Sequence, residues 1–275
     1  MSKKKRQLKK FILVYSDTHI GSTVALWPDK FTSQSGHQVP QNALQEWLWE
    51  CWLDMQERIA EMTKGHKLTT VCLGDVIEGQ HHRTTEIMTP ELDDQISATI
   101  EIYQGLKDKL KPTTSYFIRG TECHSKNIEG LLGNLFGSPK DDFTQQGAFD
   151  HLKLDVDGCV CSFAHHTSCT SRPYLEASAH SFTLGTEIME AVRNGHTPPD
   201  VVCRAHRHRH GIWKDGNCMS VVTGAWQALT RHGRKVVPAA VPNPSVVLLE
   251  FVPGRKLPID HELVYVPEES NIHKI

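Results

Sequence analysis

Apolar residues in the first half of the chain fall into three short runs of strand length. These runs occupy 11–15 (FILVY), 68–74 (LTTVCLG) and 115–120 (SYFIRG). Short runs that are rich in β-branched and aromatic residues, with little polar alternation, are typical of strands buried on both faces. We therefore predict three buried strands in this half of the chain.

Between these runs, apolar residues recur every three or four positions, which is the spacing of one face of a helix. The pattern covers 41–63 and then extends from Leu92 to Leu110, where Pro112 ends it. A shorter pattern from Ile128 to Leu135 predicts another helix. Strands that alternate with helices predict a βαβαβ arrangement.

The second half of the chain is richer in strands. Alternating residues on both sides of Asp157 and Gly158 predict a hairpin, because this dipeptide favours a tight turn. A helix is predicted at about 174–193 and a strand at 200–206, with further strands in NCMSVVTGAW and PSVVLLEFV. Three prolines within 236–245 predict a surface loop.

Together these elements predict an α/β fold of the α+β four-layer kind. Two packed mixed β-sheets form a sandwich that is flanked by helices. We expect residues 11–275 to form one domain, because no linker interrupts the pattern. Residues 1–10 carry six basic side chains and are expected to be a disordered arm, although such an arm could also contact phosphate backbones.

Composition narrows the class of protein. With 275 residues, 39% hydrophobic content and a net charge of −2, the chain resembles an ordinary soluble globular protein, and its bulk charge does not indicate nucleic-acid binding. No apolar run approaches the ~18 residues that a membrane helix needs, and no signal peptide is recognisable. The eight cysteines form no C-x-x-C pair, so we expect reduced thiols in the cytoplasm.

Acidic residues and histidines follow the predicted strands at five places. They are Asp17 and His19, Asp75, Glu122 and His124, His165 and His166, and His206 and His208. Because the carboxyl ends of the strands line one edge of an α/β sheet, we expect these side chains to meet there. Imidazole nitrogens and carboxylate oxygens suit Mn, Zn or Fe, and one carboxylate can bridge two ions about 3.5–4 Å apart.

The order of these segments resembles that of the calcineurin-like metallophosphoesterase superfamily. The family motifs D-x-H, G-D-x-x-[DE], G-N-H-[DE], a histidine at a strand end, and G-H-x-H are matched here by Asp17-Thr-His19, Gly74-Asp75-Val-Ile-Glu78, Gly120-Thr-Glu122-Cys-His124, His165 and Ala205-His206-Arg-His208. The resemblance covers residues from about 11 to 210. It implies a β-sandwich flanked by helices, with a metal site at the C-terminal edge of the strands.

The resemblance also implies a set of metal ligands. One ion would be held by Asp17, His19, Asp75 and His208, and a second by Asp75, a residue of the third motif, His165 and His206. His124 would correspond to the catalytic histidine of the third motif. Two divalent ions are implied, with manganese as the expected metal and zinc, iron or nickel as alternatives.

This chain departs from the family pattern in its third motif, which reads G-T-E-C-H instead of G-N-H-E. The usual asparagine ligand is missing, and we expect Glu122 to replace it, with Thr121 as the alternative. His124 lies two positions later than the family pattern places its histidine. At the fourth strand end, His165 is preferred to His166 as the ligand.

The implied activity is hydrolysis of a phosphate ester, by in-line attack of a hydroxide that bridges the two metals. The substrate could be a nucleic acid, DNA or RNA, because the motifs are accompanied by the basic arm and by five arginines, Arg83, Arg119, Arg204, Arg207 and Arg209. A small-molecule or nucleotide phosphoester is the alternative. A non-catalytic metal-binding scaffold subunit is an alternative of another class, since the third motif is altered. No membrane partner is expected, and the sequence does not predict the oligomeric state.

Overall fold

The computed structural model describes residues 8–81, 84–125, 127–167, 175–236, 241 and 243–268. Several sequence predictions fall partly outside this range: the first seven residues of the basic arm, part of the proline-containing loop, Cys169, His82 and Arg83. Lys9 and Lys10, which were assigned to the arm, belong to the fold. Lys10 begins the first strand, and the ammonium groups of the two lysines lie 2.5 Å and 2.6 Å from the carboxylates of Glu250 and Asp157.

The described residues form strands and helices that are numbered along the chain. The strands are β1 (Lys10–Tyr15), β2 (Phe31–Thr32), β3 (Gln38–Val39), β4 (Lys67–Cys72), β5 (Thr114–Ile118), β6 (Ala148–Phe149), β7 (Leu152–Val156), β8 (Cys159–Phe163), β9 (Val201–Arg204), β10 (Gly211–Asp215), β11 (Cys218–Val222), β12 (Ser245–Phe251) and β13 (Ile259–Val264). The helices are α1 (Ala43–Thr63), α2 (Leu92–Leu110), α3 (Glu122–Ser125), α4 (Ile128–Phe136), α5 (Glu176–Arg193) and α6 (Arg231–Val236).

Two mixed sheets carry the architecture. The first has the strand order β13-β12-β1-β4-β5-β6, in which β1, β4, β5 and β6 run parallel and β12 is antiparallel to β1. The second has the order β10-β11-β9-β8-β7, with β8, β9 and β11 parallel. A small pair, β2 and β3, stands apart from both sheets. Because β12 lies beside β1, the two ends of the chain share one sheet.

Alternate residues of β1 enter two different cores. Phe11, Leu13 and Tyr15 pack in the core that contains residues of α1, α2 and α4, whereas Ile12 and Val14 pack in the core between the two sheets. The outer face of the second sheet contacts α5. The order of layers is therefore helices, sheet, sheet and helix, which confirms the predicted four-layer sandwich.

The strands that the sequence pattern missed lie at sheet edges. β10 and β13 are the outermost strands of their sheets, and both are only partly buried. Polar residues such as Lys214 and His261 interrupt their apolar pattern, because an edge strand needs to bury only part of its surface. The predicted elements from β1 to β9 agree with the observed ones within a few residues.

Two further observations concern the class of protein. No helix among the described residues is both long enough and apolar enough to cross a membrane. The seven cysteines within the described residues are free thiols in this structure.

Candidate metal centre

The ends of strands from both sheets meet at one edge of the sandwich. The amide of Asp17, just after β1, donates to the carbonyl of Gly74, just after β4, over 3.0 Å, and the amide of His19 donates to the carbonyl of Asp75, also over 3.0 Å. The second sheet joins them, because the amide of His206, beyond the end of β9, donates to Asp17 Oδ2 over 3.3 Å. The parallel strand order thus brings the sequence motifs together.

The residues that carry the candidate ligands have a left-handed backbone. Positive φ angles are found at Asp17 (50°), His19 (40°), Asp75 (51°), His206 (72°) and His208 (55°). These are five of the eight such non-glycine residues in the described chain. Residues other than glycine seldom adopt this region, and they cluster at functional sites when they do. The turn after each strand therefore directs its side chain towards the same place.

Two glycines leave space for the Asp75 carboxylate. A Cβ atom on Gly120 would lie 2.2 Å from Asp75 Oδ1, and a Cβ on Gly74, whose φ is +96°, would lie 2.6 Å from the Cα of Gly120. Both distances are too short for real atoms, so the close approach of the two backbones requires glycine at both positions.

Seven side chains form what we call the strand-end cluster: Asp17, His19, Asp75, Thr121, His165, His206 and His208. In its first half, His208 Nε2 lies 3.5 Å from Asp17 Oδ1 and 3.2 Å from His19 Nε2. His19 Nε2 lies 4.0 Å from Asp17 Oδ1 and 3.9 Å from Asp75 Oδ2. Asp17, His19 and His208 thus present three ligand atoms within 4.8 Å of one another.

The second half of the strand-end cluster is more compact. His165 Nε2 lies 3.0 Å from Asp75 Oδ2 and 3.2 Å from His206 Nδ1. The hydroxyl of Thr121 lies 3.1 Å from the same Asp75 oxygen and 3.3 Å from each of the two histidine nitrogens. Asp75 Oδ2 is close to His19 as well as to His165, so this carboxylate lies between the two halves.

Contacts outside the cluster fix the orientation of its histidines. The Nδ1–H of His165 donates to the carbonyl of Leu73 over 2.7 Å, and Nδ1 of His19 lies 3.1 Å from Glu78 Oε2. When His165 is neutral, its hydrogen is on Nδ1 and its Nε2 lone pair faces the cluster; the Glu78 carboxylate beside Nδ1 of His19 favours the same tautomer there. Glu78 is itself buried and accepts a hydrogen bond from the Gln227 amide over 2.8 Å. A neutral imidazole with its hydrogen on Nδ1 is the tautomer that a metal ligand at Nε2 needs.

Electrostatics couples the two halves. Burial alone would raise the pKa of Asp75, but a hydrogen bond from His165 and the charges of His165 and His19 hold that pKa well below its usual range. Burial would lower the pKa of His165, but its interactions with Asp75 and Asp17 raise it to about 9. Burial would likewise raise the pKa of Glu78, but hydrogen bonding to His19 and His81 and the charge of His19 lower it to about 2. Both Asp75 and Glu78 are therefore carboxylates at neutral pH.

The structure does not bring every sequence candidate into this cluster. Glu122, the expected third-motif ligand, begins α3 and is exposed, and it belongs to none of the groups of close ligand atoms found among the described residues. The hydroxyl of its neighbour Thr121 lies beside Asp75, His165 and His206 instead. Only the three-dimensional arrangement of the strand ends reveals this contact. His166 is exposed, whereas His165 is buried, but His166 presents a ligand atom within 4.8 Å of those of His165 and His206.

The remaining histidine candidate, His124, lies at the rim of the cluster. Its ring centre is 4.7 Å from that of His19, and its Nδ1–H donates to the Glu78 carbonyl over 3.0 Å. His19, His124 and His208 also line a cleft of about 680 Å³, together with Thr84, Thr85, Gln227 and Arg231 among others. The first half of the cluster is therefore accessible from this cleft.

The cluster fits divalent cations. Asp17 is fully buried, yet its Oδ1 accepts no hydrogen bond from the described residues. A buried carboxylate oxygen without a donor costs several kcal/mol, on the order of the penalty for an unpaired charge. The set of two carboxylates and four imidazoles is the donor chemistry that Mn, Zn and Fe prefer. One cation near Asp17 and another near Asp75 would satisfy these atoms.

The arginines that sequence inspection singled out have acidic partners in the protein. Arg207 and Arg209 both contact Glu176, at 3.6 Å and 2.9 Å, and Arg119 lies 3.3 Å from Asp150. The side chains of Arg119 and Arg209 remain partly exposed. None of the three arginines lines the cleft next to His19 and His124.

The fourth of these arginines, Arg204, belongs to what we call the outer-face network: His151, Ser162, Glu187 and Arg204. Arg204 is 3% exposed and forms an ion pair with Glu187. The hydroxyl of Ser162 donates to Glu187 over 3.0 Å, and His151 Nε2 lies 2.8 Å from that hydroxyl. This network lies between the second sheet and α5, away from the cleft.

Two packed mixed sheets with five ligand-bearing strand ends at one edge are what the resemblance implied. The chain has the predicted sandwich of two mixed sheets flanked by helices. No family model and no curated protein matches the sequence. Solved structures similar to it include an archaeal phosphodiesterase, at 12% identity and a TM-score of 0.45, covering 93% of this chain and 99% of that one.

Two further similar structures are a protein-sorting protein and a predicted phosphoesterase. Vacuolar protein sorting 29 from Cryptosporidium parvum has 12% identity and a TM-score of 0.44, covering 94% of this chain and 100% of its own. A predicted phosphoesterase from Streptococcus pneumoniae has 10% identity and a TM-score of 0.38, covering 94% and 100%. Likeness at this level says nothing about the substrate of this protein.

Proposed function

We propose that this protein is a metal-dependent phosphoesterase. One observation carries the proposal: buried carboxylates and imidazoles meet at the edge of a cleft, and no lysine or arginine among the described residues pairs with the two aspartates. Among the described residues, the ion-pair partners of Asp17 and Asp75 are histidines only. Such an arrangement suits cations, and the remaining positive charge of bound cations suits a phosphate.

The chain would hold two divalent ions. Asp17, His19 and His208 would hold one, His165 and His206 the other, and Asp75 would contact both. Ions bound there would polarise a phosphoryl oxygen and lower the pKa of a water. Manganese is the metal that we would test first, followed by zinc, iron and nickel.

His124 is the proposed catalytic residue on the protein side. Its Nδ1 is engaged with the Glu78 carbonyl, which fixes the ring, and the ring stands at the cleft beside His19. Its other nitrogen, Nε2, is then available to stabilise charge on the phosphate or to protonate the leaving oxygen.

A small phosphate ester is the substrate class that the cleft favours. Its volume of about 680 Å³ falls in the usual range for small-molecule sites, roughly 300–1,000 Å³. Hydroxyl, amide and imidazole groups line it together with the carboxylates of Glu78 and Glu86, and Arg231 is a cationic group that can contact a phosphate. A nuclease acting on DNA or RNA is the alternative, and it is disfavoured because Arg119, Arg207 and Arg209 already have acidic partners.

A non-catalytic metal-binding scaffold is the candidate of another class. The observation in its favour is the third motif, in which the usual amide ligand is absent and Glu122 is exposed. This candidate predicts metal binding without hydrolysis.

A hydrolysis assay separates these functions. The purified protein, loaded with Mn²⁺, would be given p-nitrophenyl phosphate, bis-p-nitrophenyl phosphate and single-stranded DNA and RNA oligonucleotides. We expect turnover of at least one nitrophenyl ester, and its loss in Asp75→Asn but not in the matched control Asp142→Asn, an exposed aspartate. Turnover that is equal in the wild type and Asp75→Asn would refute the enzyme proposal, and cleavage of oligonucleotides alone would favour the nuclease.

A further inference from the structure

The place of the missing asparagine is taken in space by the hydroxyl of Thr121. This residue follows β5, and its amide and hydroxyl both reach Asp75: the amide nitrogen lies 2.5 Å from Oδ1 and the hydroxyl oxygen 3.1 Å from Oδ2. The same hydroxyl oxygen lies 3.3 Å from His165 Nε2 and 3.3 Å from His206 Nδ1. It thus touches all three of the proposed ligand atoms of the second ion.

Hydrogen bonds alone do not account for these contacts. A threonine hydroxyl has one proton and can donate it to only one of the three neighbouring atoms. A proton on His165 Nε2 is directed at Asp75 Oδ2, 3.0 Å away, because Nδ1–H is the donor to Leu73. Two imidazole nitrogens 3.2 Å apart, those of His165 and His206, cannot both direct a proton at each other. The Thr121 hydroxyl, His165 Nε2 and His206 Nδ1 offer one proton each, so at least two of the five contacts among these atoms have no proton of their own.

The distances between the four atoms match the edges of a coordination shell. The five pairs among Asp75 Oδ2, Thr121 Oγ1, His165 Nε2 and His206 Nδ1 described above are 3.0–3.3 Å apart. Ligands about 2.0–2.1 Å from a common ion lie about 3.3 Å apart in tetrahedral geometry and about 2.9 Å apart in octahedral geometry. One cation would satisfy all four lone pairs.

We propose that the Thr121 hydroxyl, and not the Glu122 carboxylate, completes the ligand set of the second metal. This inference rests on the proposed function only in assuming that a divalent ion binds there. A neutral hydroxyl is a weaker ligand than a carboxylate, because it brings no charge to the ion. The second half of the strand-end cluster should therefore bind its ion more weakly than a carboxylate-ligated site would.

The first experiment measures metal stoichiometry and affinity. The wild type, Thr121→Val, Thr121→Ser and Glu122→Gln would be dialysed against graded Mn²⁺, and bound metal would be measured by mass spectrometry. We expect two ions in the wild type, Thr121→Ser and Glu122→Gln. In Thr121→Val the weaker ion should lose at least about 100-fold in affinity, since loss of even an outer partner of a ligand costs about 10–100-fold.

A second measurement keeps the inference testable if Thr121→Val fails to fold. A cysteine at a ligand position gives a thiolate-to-cobalt charge-transfer absorption when Co²⁺ binds. We expect this band in Thr121→Cys, as a difference from the wild type, and no such band in the matched variant Glu122→Cys. A band in Glu122→Cys alone, or an unchanged second ion in folded Thr121→Val, would overturn the assignment.

The outcomes distinguish this inference from the proposed function. A wild type that binds two ions but hydrolyses no ester would overturn the phosphoesterase proposal, while Thr121 would still be tested by the loss of one ion in Thr121→Val. A wild type that binds no divalent ion at all would overturn both.

Discussion

The strand-end cluster and the outer-face network both place carboxylates beside histidines, but they balance their charges differently. In the outer-face network, Glu187 forms an ion pair with Arg204 and accepts a hydrogen bond from Ser162. In the strand-end cluster, the described ion-pair partners of Asp17 and Asp75 are histidines alone, and Asp17 Oδ1 accepts no hydrogen bond from the described residues.

This difference separates a structural cluster from a ligand-binding one. Buried polar groups in native proteins have partners, so a group that lacks one needs an explanation. The outer-face network is complete within the protein and needs no ligand to be stable. The strand-end cluster is completed only by something that the chain does not supply, and two cations fit that requirement.

The largest effect is expected from removing a charge of the strand-end cluster. We expect Asp17→Asn to lower kcat/KM for a nitrophenyl ester by at least about 10⁴-fold, since a metal ion supplies several kcal/mol of stabilisation to the transition state. Because the substitution removes an uncompensated buried charge, the free energy of unfolding of the metal-free protein should not fall. Steady-state kinetics and chemical denaturation measure the two quantities, and a marked loss of metal-free stability would contradict the comparison.

The outer-face network should respond in the opposite way. Glu187→Gln leaves the buried Arg204 without its counter-charge, and we expect a loss of about 3 kcal/mol in the free energy of unfolding, the lower end for a broken buried pair because Glu187 is partly exposed. Metal content should not change. The control is Glu190→Gln on the same helix, whose partner Arg193 is exposed. Equal stability losses in the two variants would show that the ion pair with buried Arg204 stabilises the fold no more than an exposed ion pair does.

Removal of metal should lower stability without affecting the outer-face network. A ligand at 100 times its Kd stabilises the native state by about 2.7 kcal/mol per site. We therefore expect chelation to lower the unfolding free energy of the wild type by an amount of this order per ion, and to lower that of Glu187→Gln equally. If chelation has no effect on the wild type, the strand-end cluster does not bind metal.

A smaller effect is expected at Glu78, which holds Nδ1 of His19 from outside the cluster. Glu78→Gln should weaken binding of the first ion by about 10–100-fold, the usual cost of removing such an outer partner. Competition with a chromogenic chelator measures this affinity. Binding of the second ion serves as the internal control, and an equal loss at both ions would indicate general disruption instead.

The smallest effect is a pH dependence of stability in the outer-face network. Burial would raise the pKa of Glu187, but hydrogen bonding to His151 and the charge of Arg204 lower it to about 2. Because the folded-state pKa is depressed, Glu187 contributes stability above its unfolded pKa of about 4.5 and loses it as the pH falls towards 2. Denaturation of the wild type and Glu187→Gln between pH 5 and pH 3 should show a steeper fall in the wild type.

The sequence predicted the fold and most of the cluster for one physical reason. Buried parallel strands read as unbroken apolar runs, and the residue after each run marks the sheet edge. Asp17, Asp75, His165 and His206 could be found in this way. Sequence reasoning could not choose between Thr121 and Glu122, because the two are adjacent and only the turn after β5 decides which side chain faces Asp75.

Edge strands and ion pairs between residues distant in sequence account for the rest of what the sequence did not predict. β10 and β13 escaped notice because their partial burial weakens the apolar alternation. In the sequence alone the arginines have no visible partners, so their positive charges suggested a nucleic-acid substrate. Their acidic partners, Glu176 and Glu187, are distant in sequence, and only packing of α5 against the second sheet brings them near.

The left-handed backbone at the five strand-end positions has a consequence for the evolution of this protein. Glycine adopts such a conformation freely, whereas other residues pay roughly 1–2 kcal/mol for it, less for aspartate and histidine. Glycine at His206 or His208 would therefore relax the chain and also remove a ligand. Selection for heat resistance alone would tend to erase this site, so its persistence in a lineage would itself be a record of selection for what the site binds.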